Sequence, residues 1–440
     1  MKKKSTKLFL AALVIAMALG PAPVTGQPPA GQSPATAQTP ETLGIWDAYR
    51  LSRQHYPSSK QRDLIGQTRE YTLQNAARGY LPQLSFGGQA TLQSEVTSLP
   101  IKLPVAGLSL PQYSKDQYKV YGEIDQVIYD GGLIRNQQEA ARVSAEIAEK
   151  RLDVELHAVF DRVDQLYFGV LLLDGQIKQN ALLQQDIANG LEKMQAMLDN
   201  GTAYQRGVDE LQAQLLQTRQ SLTSLHTARK AYYNMLLMLT GLPPDTPVRL
   251  VEPPELALQT SISRPELQWY EYQKRSYDLE DEAASAGLRP RFILFAQGGY
   301  GRPGLNMLNN NFAGYAIGGV RLSWNLGGWY TLKRQRQISA IGRRGLDLQK
   351  ETFLLNTGLQ QEQSLLLIAG NLQQLRQDDP IVHLRTAIKN SALVQLQQGV
   401  LSAHDYLTQV IAEDQAREAR ILHRIQMLQS EYNYQTLIGD

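Results

Sequence analysis

The 440-residue chain contains no cysteine, so it has no disulfide frame, no thiol nucleophile and no cysteine-linked lipid. It has no HExxH pair, no GxSxG elbow and no phosphate loop; Gly298-Gly299-Tyr300-Gly301 lacks the lysine such a loop requires. Its six histidines (His55, His157, His226, His383, His404, His423) are scattered without metal-ligand spacing, which suits structural or surface roles. Asp378-Asp379 stands beside Pro380 and reads as a helix-break or solvent feature rather than a catalytic pair. No enzyme, no cofactor and no metal site is therefore expected. Lys, Met and His do not cluster into a copper or silver path either. Charge of one sign is lacking too. The net charge is +2, and no dense basic patch carries interleaved aromatics, so nucleic acid is not an expected partner. Beyond the N-terminus, no stretch approaches the roughly 18 predominantly apolar residues of a spanning helix.

What is present begins with an export signal. Lys2, Lys3, Lys4 and Lys7 precede an apolar run from Leu8 to Leu19, followed by Pro21, Pro23 and a small-residue site at Val24-Thr25-Gly26. Residues 1–26 are expected to be a signal peptide. Residues 27–41 are rich in Pro, Gln, Ala and Thr and are expected to be a flexible spacer. An exported chain without spanning helices can still cross a membrane, as β-strands closed into a barrel.

The body of the chain repeats one plan at an offset of roughly 200 residues. Tyr80-Leu81-Pro82-Gln83-Leu84-Ser85-Phe86 is echoed by Leu288-Arg289-Pro290-Arg291-Phe292-Ile293-Leu294. Ile128-Tyr129-Asp130-Gly131-Gly132 is echoed by Trp324-Asn325-Leu326-Gly327-Gly328, and Leu239-Thr240-Gly241 by Leu437-Ile438-Gly439. A first repeat over 42–241, a linker over 242–262 and a second repeat over 263–440 follow. Each repeat reads helix, strand, loop, strand, very long helix, turn, long helix.

The strands alternate. In 82–93, Leu84, Phe86, Gly88, Ala90 and Leu92 fall on one face, with Gln83, Ser85, Gln89, Thr91 and Gln93 on the other. In 118–129, Val120 and Ile124 oppose Lys119, Glu123 and Asp125; in 316–326, Val320, Leu322, Trp324 and Leu326 oppose Arg321, Ser323 and Asn325. Ile293 and Phe295 interrupt the pattern in 290–300. Tyr80, Tyr118, Tyr129, Tyr300, Tyr315 and Trp324 crowd the strand ends as candidate members of aromatic girdles, and Trp329 stands near them. A soluble antiparallel sheet with one wet face gives the same alternation. The export signal, the strand length and the polar and glycine loops at 94–116 and 302–311 favour membrane strands. Four strands cannot close, since the smallest membrane barrels have about eight, so copies must pool their strands.

The helices are too long for a compact domain. Leu156, Val159, Val163, Leu166, Val170, Leu173 and Ile177 form a coiled-coil seam within a proline-free run from Leu133 to about Leu198, nearly 100 Å of helix at about 1.5 Å per residue. Val208, Leu211, Leu215, Leu222 and Leu225 mark a helix over 208–240, and Ile421, Ile425, Leu428 and Tyr432 mark one from about Ala403. Helices are expected over 329–379 and 381–397, with Pro380 as a kink or break. Gly201 and Gly399 stand where the long helices turn back. The expected fold is α+β: a β-barrel joined to a long antiparallel helical coiled coil.

At these residues the chain resembles the TolC-like outer-membrane efflux proteins over about 42–439. Thr42-Leu43-Gly44-Ile45-Trp46-Asp47-Ala48 resembles the opening helix of that family, although its usual Asn-Pro is Tyr56-Pro57 here. Arg264-Pro265-Glu266-Leu267 resembles the opening of the second half. The family's Gly followed by Asp-Val-Leu appears as Gly201 with Asp209-Glu210-Leu211, and as Gly399 with Asp405-Tyr406-Leu407. The resemblance implies a homotrimer in the outer membrane, with four strands per protomer forming one barrel in outer-membrane lipid and helices forming a tunnel into the periplasm. It also implies an exit duct for a tripartite efflux or type I secretion system. Its partners would be a periplasmic adaptor (membrane fusion) protein and an inner-membrane RND, ABC or similar transporter. Asp209, Glu210, Asp405, Gly201 and Gly399 become candidates for the pore constriction and the adaptor contact. In relatives a second aspartate follows one turn after the Asp405 position and an arginine follows the second glycine; here these are Thr408 and Leu401. Asp209 and Asp405 could equally cap helix N-termini. The alternative is a periplasmic coiled-coil adaptor or structural protein without a channel.

Overall fold

A computed structural model describes residues 41–96, 114–306 and 309–439. The expected signal peptide and most of the spacer, together with much of the loop at 94–116 and part of that at 302–311, lie outside the described residues.

The first half comprises β1 (Thr42–Leu43), α1 (Ile45–His55), α2 (Gln61–Ala77), β2 (Gln83–Leu92), β3 (Asp116–Tyr129), α3 (Leu133–Asp199) and α4 (Gln205–Leu239). The second comprises β4 (Arg249–Leu250), α5 (Pro265–Ala286), β5 (Arg291–Arg302), β6 (Ala313–Ser323), α6 (Trp329–Gln397) and α7 (Ala403–Ile438). The order α2-β2-β3-α3-α4 thus recurs as α5-β5-β6-α6-α7, with long helices of 67 and 69 residues. Each spans about 100 Å at 1.5 Å per residue.

Local chemistry explains where the elements begin and end. Asp130 accepts from the backbone N–H groups of Gly132 (2.8 Å) and Ile134 (2.6 Å), turning strand into helix at the start of α3. Gly131 and Gly132 have φ of 76° and 94°, a left-handed region that a side chain rarely adopts. Both hairpins end in the same glycine motif. Thr202 N–H donates to Met197 C=O (2.8 Å) and Gly201 N–H to Leu198 C=O (2.9 Å); Val400 and Gly399 repeat this onto Gln395 and Leu396, each at 3.0 Å.

Pro380 does not break its helix. α6 runs through it, with the two residues before it fastened to α7: Asp378 is buried and pairs with His423 (2.8 Å), and Asp379 pairs with Arg420 (2.8 Å). These aspartates are therefore inter-helix partners and not a helix-break feature. Strand β6 ends at Ser323, so Trp324 and Leu326 lie beyond it. Trp324 is held instead by its indole N–H on Leu288 C=O at 2.8 Å.

The sheet order is β2-β3-β5-β6, every neighbour antiparallel. Below it, α2 packs on α3, α3 on α5 and α5 on α6, so the helices continue the strand order. Further down, α4, α3, α7 and α6 lie side by side. Two apolar cores hold this wall. One, at mid-height, joins α1, α3, α4 and α7 through Tyr49, Val163, Phe168, Leu236, Leu428 and Tyr432. The other joins the two hairpin tips through Ile187, Leu211, Leu396, Tyr406 and Val410. No described helix is long and apolar enough to cross a membrane.

Candidate functional site: sheet faces, open edges and hairpin tips

The strand register sorts side chains onto two faces. Leu84 opposes Ile124, Gly88 opposes Val120, Val120 opposes Tyr300, and Leu294 opposes Val320. This face is apolar and bare: Phe86 is 81% exposed, Leu92 83% and Val120 68%. Burying such side chains is worth about 1.5–3 kcal/mol each, so a face this apolar calls for a non-aqueous neighbour. Tyr118, Tyr300 and Phe312 stack at its loop end, while Tyr80, Tyr129 and Trp324 lie at its helix end, all exposed. From Tyr118 to Tyr129 the strand covers about 36 Å at 3.3 Å per residue, or about 26 Å of height at a tilt near 45°. That matches the apolar band of a membrane barrel, about 25 Å.

Tyr315 departs from the girdle expectation. It opposes Gly299 and shares its face with Arg321, on the polar side of the sheet. There Arg321 pairs with Glu123 (2.6 Å) and Asp125 (3.4 Å), and Gln297 donates to Glu123 (2.7 Å). Phe295, which broke the alternation, lies on this face beneath the Arg321 guanidinium at 4.6 Å. A cation on an aromatic ring is why an apolar residue is tolerated among charges.

Both edges of the unit are open. Among the described residues, β2 and β6 each lack a partner on one side. On α6, Ile338, Ile341, Leu348, Leu355, Leu359 and Leu366 keep heptad spacing yet are exposed, and a Cβ on Gly345 in the same stripe would meet nothing within 4 Å. On α2, at the opposite edge, Leu64 and Tyr71 are exposed one heptad apart. An exposed heptad seam is a surface made for another helix. The α6 seam was missed in the sequence reading, although its 3-4-7 spacing was there to be counted.

At the tips, the α3–α4 and α6–α7 turns lie together. Gly190 lets Tyr406 in: a Cβ there would stand 2.4 Å from the ring, and the Tyr406 hydroxyl donates to Asp186 C=O at 3.0 Å. Asp405 is not the cap of α7. Ser402 is, its hydroxyl accepting from Asp405 N–H (3.1 Å) and donating to the Asp405 carboxylate (2.6 Å), with Asp405 at the third helical position. Asp209 does not cap α4 either, since Tyr204 holds the N-cap position and Gln205 donates to Asp209 at 2.8 Å. Glu210 meets His404 across the hairpins at 2.6 Å. Both aspartates remain exposed. A groove of about 590 Å³ lies between the turns, with Met194, Met197, Tyr204, Gly399, Val400 and His404 on its walls. Tyr204 is 87% exposed and Val400 74%. Among the described residues no group of three metal-ligating side chains occurs.

Higher up, the mid-height core contains a buried acid. Asp164 has no exposed surface; the Tyr49 hydroxyl and that of Thr436 (3.3 Å) donate to it. Burial pushes its carboxyl up to about 7, with the nearby Asp161 charge adding to the rise and the two hydroxyls opposing it. Burial, and then the Asp164 charge, push the Tyr49 phenol far above its ordinary range. Below this core, Glu413 is held under the usual carboxylate range: burial opposes this, but Thr386, Arg417 and Lys389 outweigh it. Burial raises its neighbour Asp414.

Residues 66–242 match the family described as outer membrane efflux protein, a family of efflux channels rather than enzymes. No curated protein sequence matches the chain. Among solved structures, CusC, described as forming a transmembrane channel, aligns at 15% identity over 91% of this chain and 93% of its own, with a TM-score of 0.67. The outer-membrane channel OprN aligns at 15% identity over 96% and 98%, TM-score 0.63. The Campylobacter jejuni CmeC outer membrane channel aligns at 12% identity over 95% and 94%, TM-score 0.63. The strands and helices described above thus form the fold of these solved outer-membrane channels, and the match to the outer membrane efflux protein family covers residues 66–242.

Proposed function

We propose that three copies of the chain close edge to edge, β2 of one on β6 of the next, into a twelve-stranded barrel in the outer membrane. The observation that carries this reading is the pair of open edges: among the described residues β2 and β6 are each unpaired on one side, and α2 and α6 beside them carry exposed apolar stripes. In lipid, an unpaired strand edge costs several kcal/mol per unsatisfied group, so closure is obligatory. The bare apolar face then meets lipid, and the Glu123, Asp125 and Arg321 face lines water. The helices hang into the periplasm as a tunnel, and the protein conducts passively what a pump delivers.

The tips are the proposed mouth and adaptor contact. Three Asp405 carboxylates around a narrow axis repel one another and favour cations over anions. Ser402 orients each of them. Leu401 offers no guanidinium to such a ring, so Glu210 and His404, already joined between the hairpins, supply the charge contact nearest to it. The Met194–Val400 groove fits an apolar partner segment from a periplasmic adaptor, itself coupled to an RND, ABC or similar inner-membrane transporter. The signal peptide over 1–26 and the spacer over 27–41 belong to the same proposal.

A periplasmic coiled-coil protein without a channel would leave the Leu84–Val320 face in water, and no described contact covers that face. Planar-bilayer recordings of the purified, detergent-stable protein test the reading. Discrete conductance steps are expected; a folded trimer that never conducts would overturn it.

A further inference from the structure

Between α3, α4 and α7 lies a groove of about 820 Å³ that the channel reading does not use. Six basic and three acidic side chains line it, in a chain whose overall charge is only +2. Arg417, Arg420 and Arg424 form a column on one face of α7, and Arg229 faces them from α4. Each of these four is paired: Arg417 with Glu413 (2.5 Å), Arg420 with Asp379 (2.8 Å), Arg424 with Glu252 (3.1 Å) and Glu255 (2.5 Å), and Arg229 with Asp174. Lys178 and Arg249 are not. Both are exposed, both line the groove, and neither has a carboxylate within ion-pair distance among the described residues.

The surplus is therefore located: two free cations beside an arginine column whose outer pairs are half or more exposed on the acid side. Exposed pairs of this kind exchange partners at little cost. The groove thus presents two unpaired cations to an anion.

Its position selects the anion. Lys178 is 45 residues along α3 from Leu133, which puts the groove about 65 Å from the barrel end of the helix at 1.5 Å per residue. Residues 249–252, part of the segment that straps α7, form one wall of it. The strap and α1 make a second layer on the helices. Three such layers inside a ring of twelve helices, about 38 Å across between axes for helices about 10 Å wide, would fill the passage, so they face outward. A rod of this length beneath an outer membrane must pass through the cell-wall mesh, whose peptide stems carry repeated carboxylates.

We infer that the Lys178–Arg249 groove binds the acidic peptide stems of the periplasmic cell wall and anchors the tube in the mesh it crosses. This rests on the trimeric channel proposed above. The test is co-sedimentation of the detergent-solubilised trimer with purified cell-wall sacculi. The wild-type protein should sediment, less so as salt rises past the point where the screening length falls below about 8 Å. Lys178→Glu with Arg249→Glu should weaken binding about tenfold, while trimer stability and conductance stay unchanged. Amidating the stem carboxylates should abolish sedimentation of the wild-type protein, an arm that needs no variant to fold. The inference is overturned if wild type does not sediment, if amidated sacculi bind equally, or if the folded double variant binds like wild type. Capture of soluble polyglutamate without capture of sacculi would overturn it too, pointing to an acidic protein. A protein that conducts but does not sediment removes this inference alone; one that forms neither trimer nor pore removes the channel reading first.

Discussion

Replacing Asp164 by Asn tests whether the mid-height core is built around a buried acid. With its carboxyl at about 7 in the folded chain and about 3.9 in the unfolded one, the folded state holds its proton over a window where the unfolded chain has lost it. The folded pKa is raised, so the stabilising contribution is complete below about pH 4 and disappears as pH rises through 7. The difference of about 3 units amounts to about 4 kcal/mol per chain between acid and alkaline limits. Asp164 is fully buried, so solvent screening does not discount this figure. Asn keeps an acceptor for the Tyr49 hydroxyl but cannot ionise. Thermal unfolding of the trimer in detergent, measured at a fixed scan rate from pH 5 to pH 9, should show wild type losing stability towards high pH and Asp164→Asn losing much less. The variant should therefore gain on wild type between pH 5 and about pH 7 and keep that gain at higher pH. Equal pH slopes for the two proteins would refute the buried-acid reasoning.

Ile341→Glu places a charge on the α6 seam, where Ile341 is 71% exposed, and should shift the protein from trimer to monomer in light scattering; a stable trimer would contradict the assigned edge. Gly190→Ala puts a methyl where Tyr406 lies, and such overpacking should cost about 1–3 kcal/mol, read as a lower unfolding midpoint. Gly358→Ala, with nothing within 4 Å of the new methyl, should leave that midpoint unchanged or raise it. Asp405→Asn should reduce cation selectivity in single-channel recordings at low salt, with a smaller effect at high salt, whereas exposed Asp63→Asn on α2 should not; unchanged selectivity would leave Asp405 only its capping box with Ser402.

Much of this architecture was legible because it is local. The 3-4 spacing from Leu156 to Ile177 is a property of one helix, the left-handed turns at Gly201 and Gly399 need glycine wherever they occur, and alternation in β2 follows from the pleat. What failed depended on partners far away in sequence. Phe295 broke the pattern because Arg321, on the next strand, covers it. Pro380 seemed to end a helix because the holds of His423 and Arg420 on the two residues before it come from α7. Tyr315 was assigned to a girdle by its type, and only the pairing with Gly299 puts it on the polar face. Asp209 and Asp405 looked like caps by composition, yet Ser402 caps α7 and Tyr204 holds the N-cap position of α4 without a side-chain hydrogen bond. The tip site was legible as positions, Gly201, Gly399, Glu210 and Asp405, but not as contacts, since His404 meets Glu210 across 194 residues.

The most direct measurement of the central claim is an electron cryomicroscopy map of the purified protein in lipid nanodiscs. The account predicts a threefold ring in which β2 of each protomer is hydrogen-bonded to β6 of its neighbour, with the Phe86 and Val120 face against lipid and the α6 seam covered by α2 of the adjacent copy. A monomer or dimer with either strand edge unpaired, or a ring whose apolar face points inward, would contradict it.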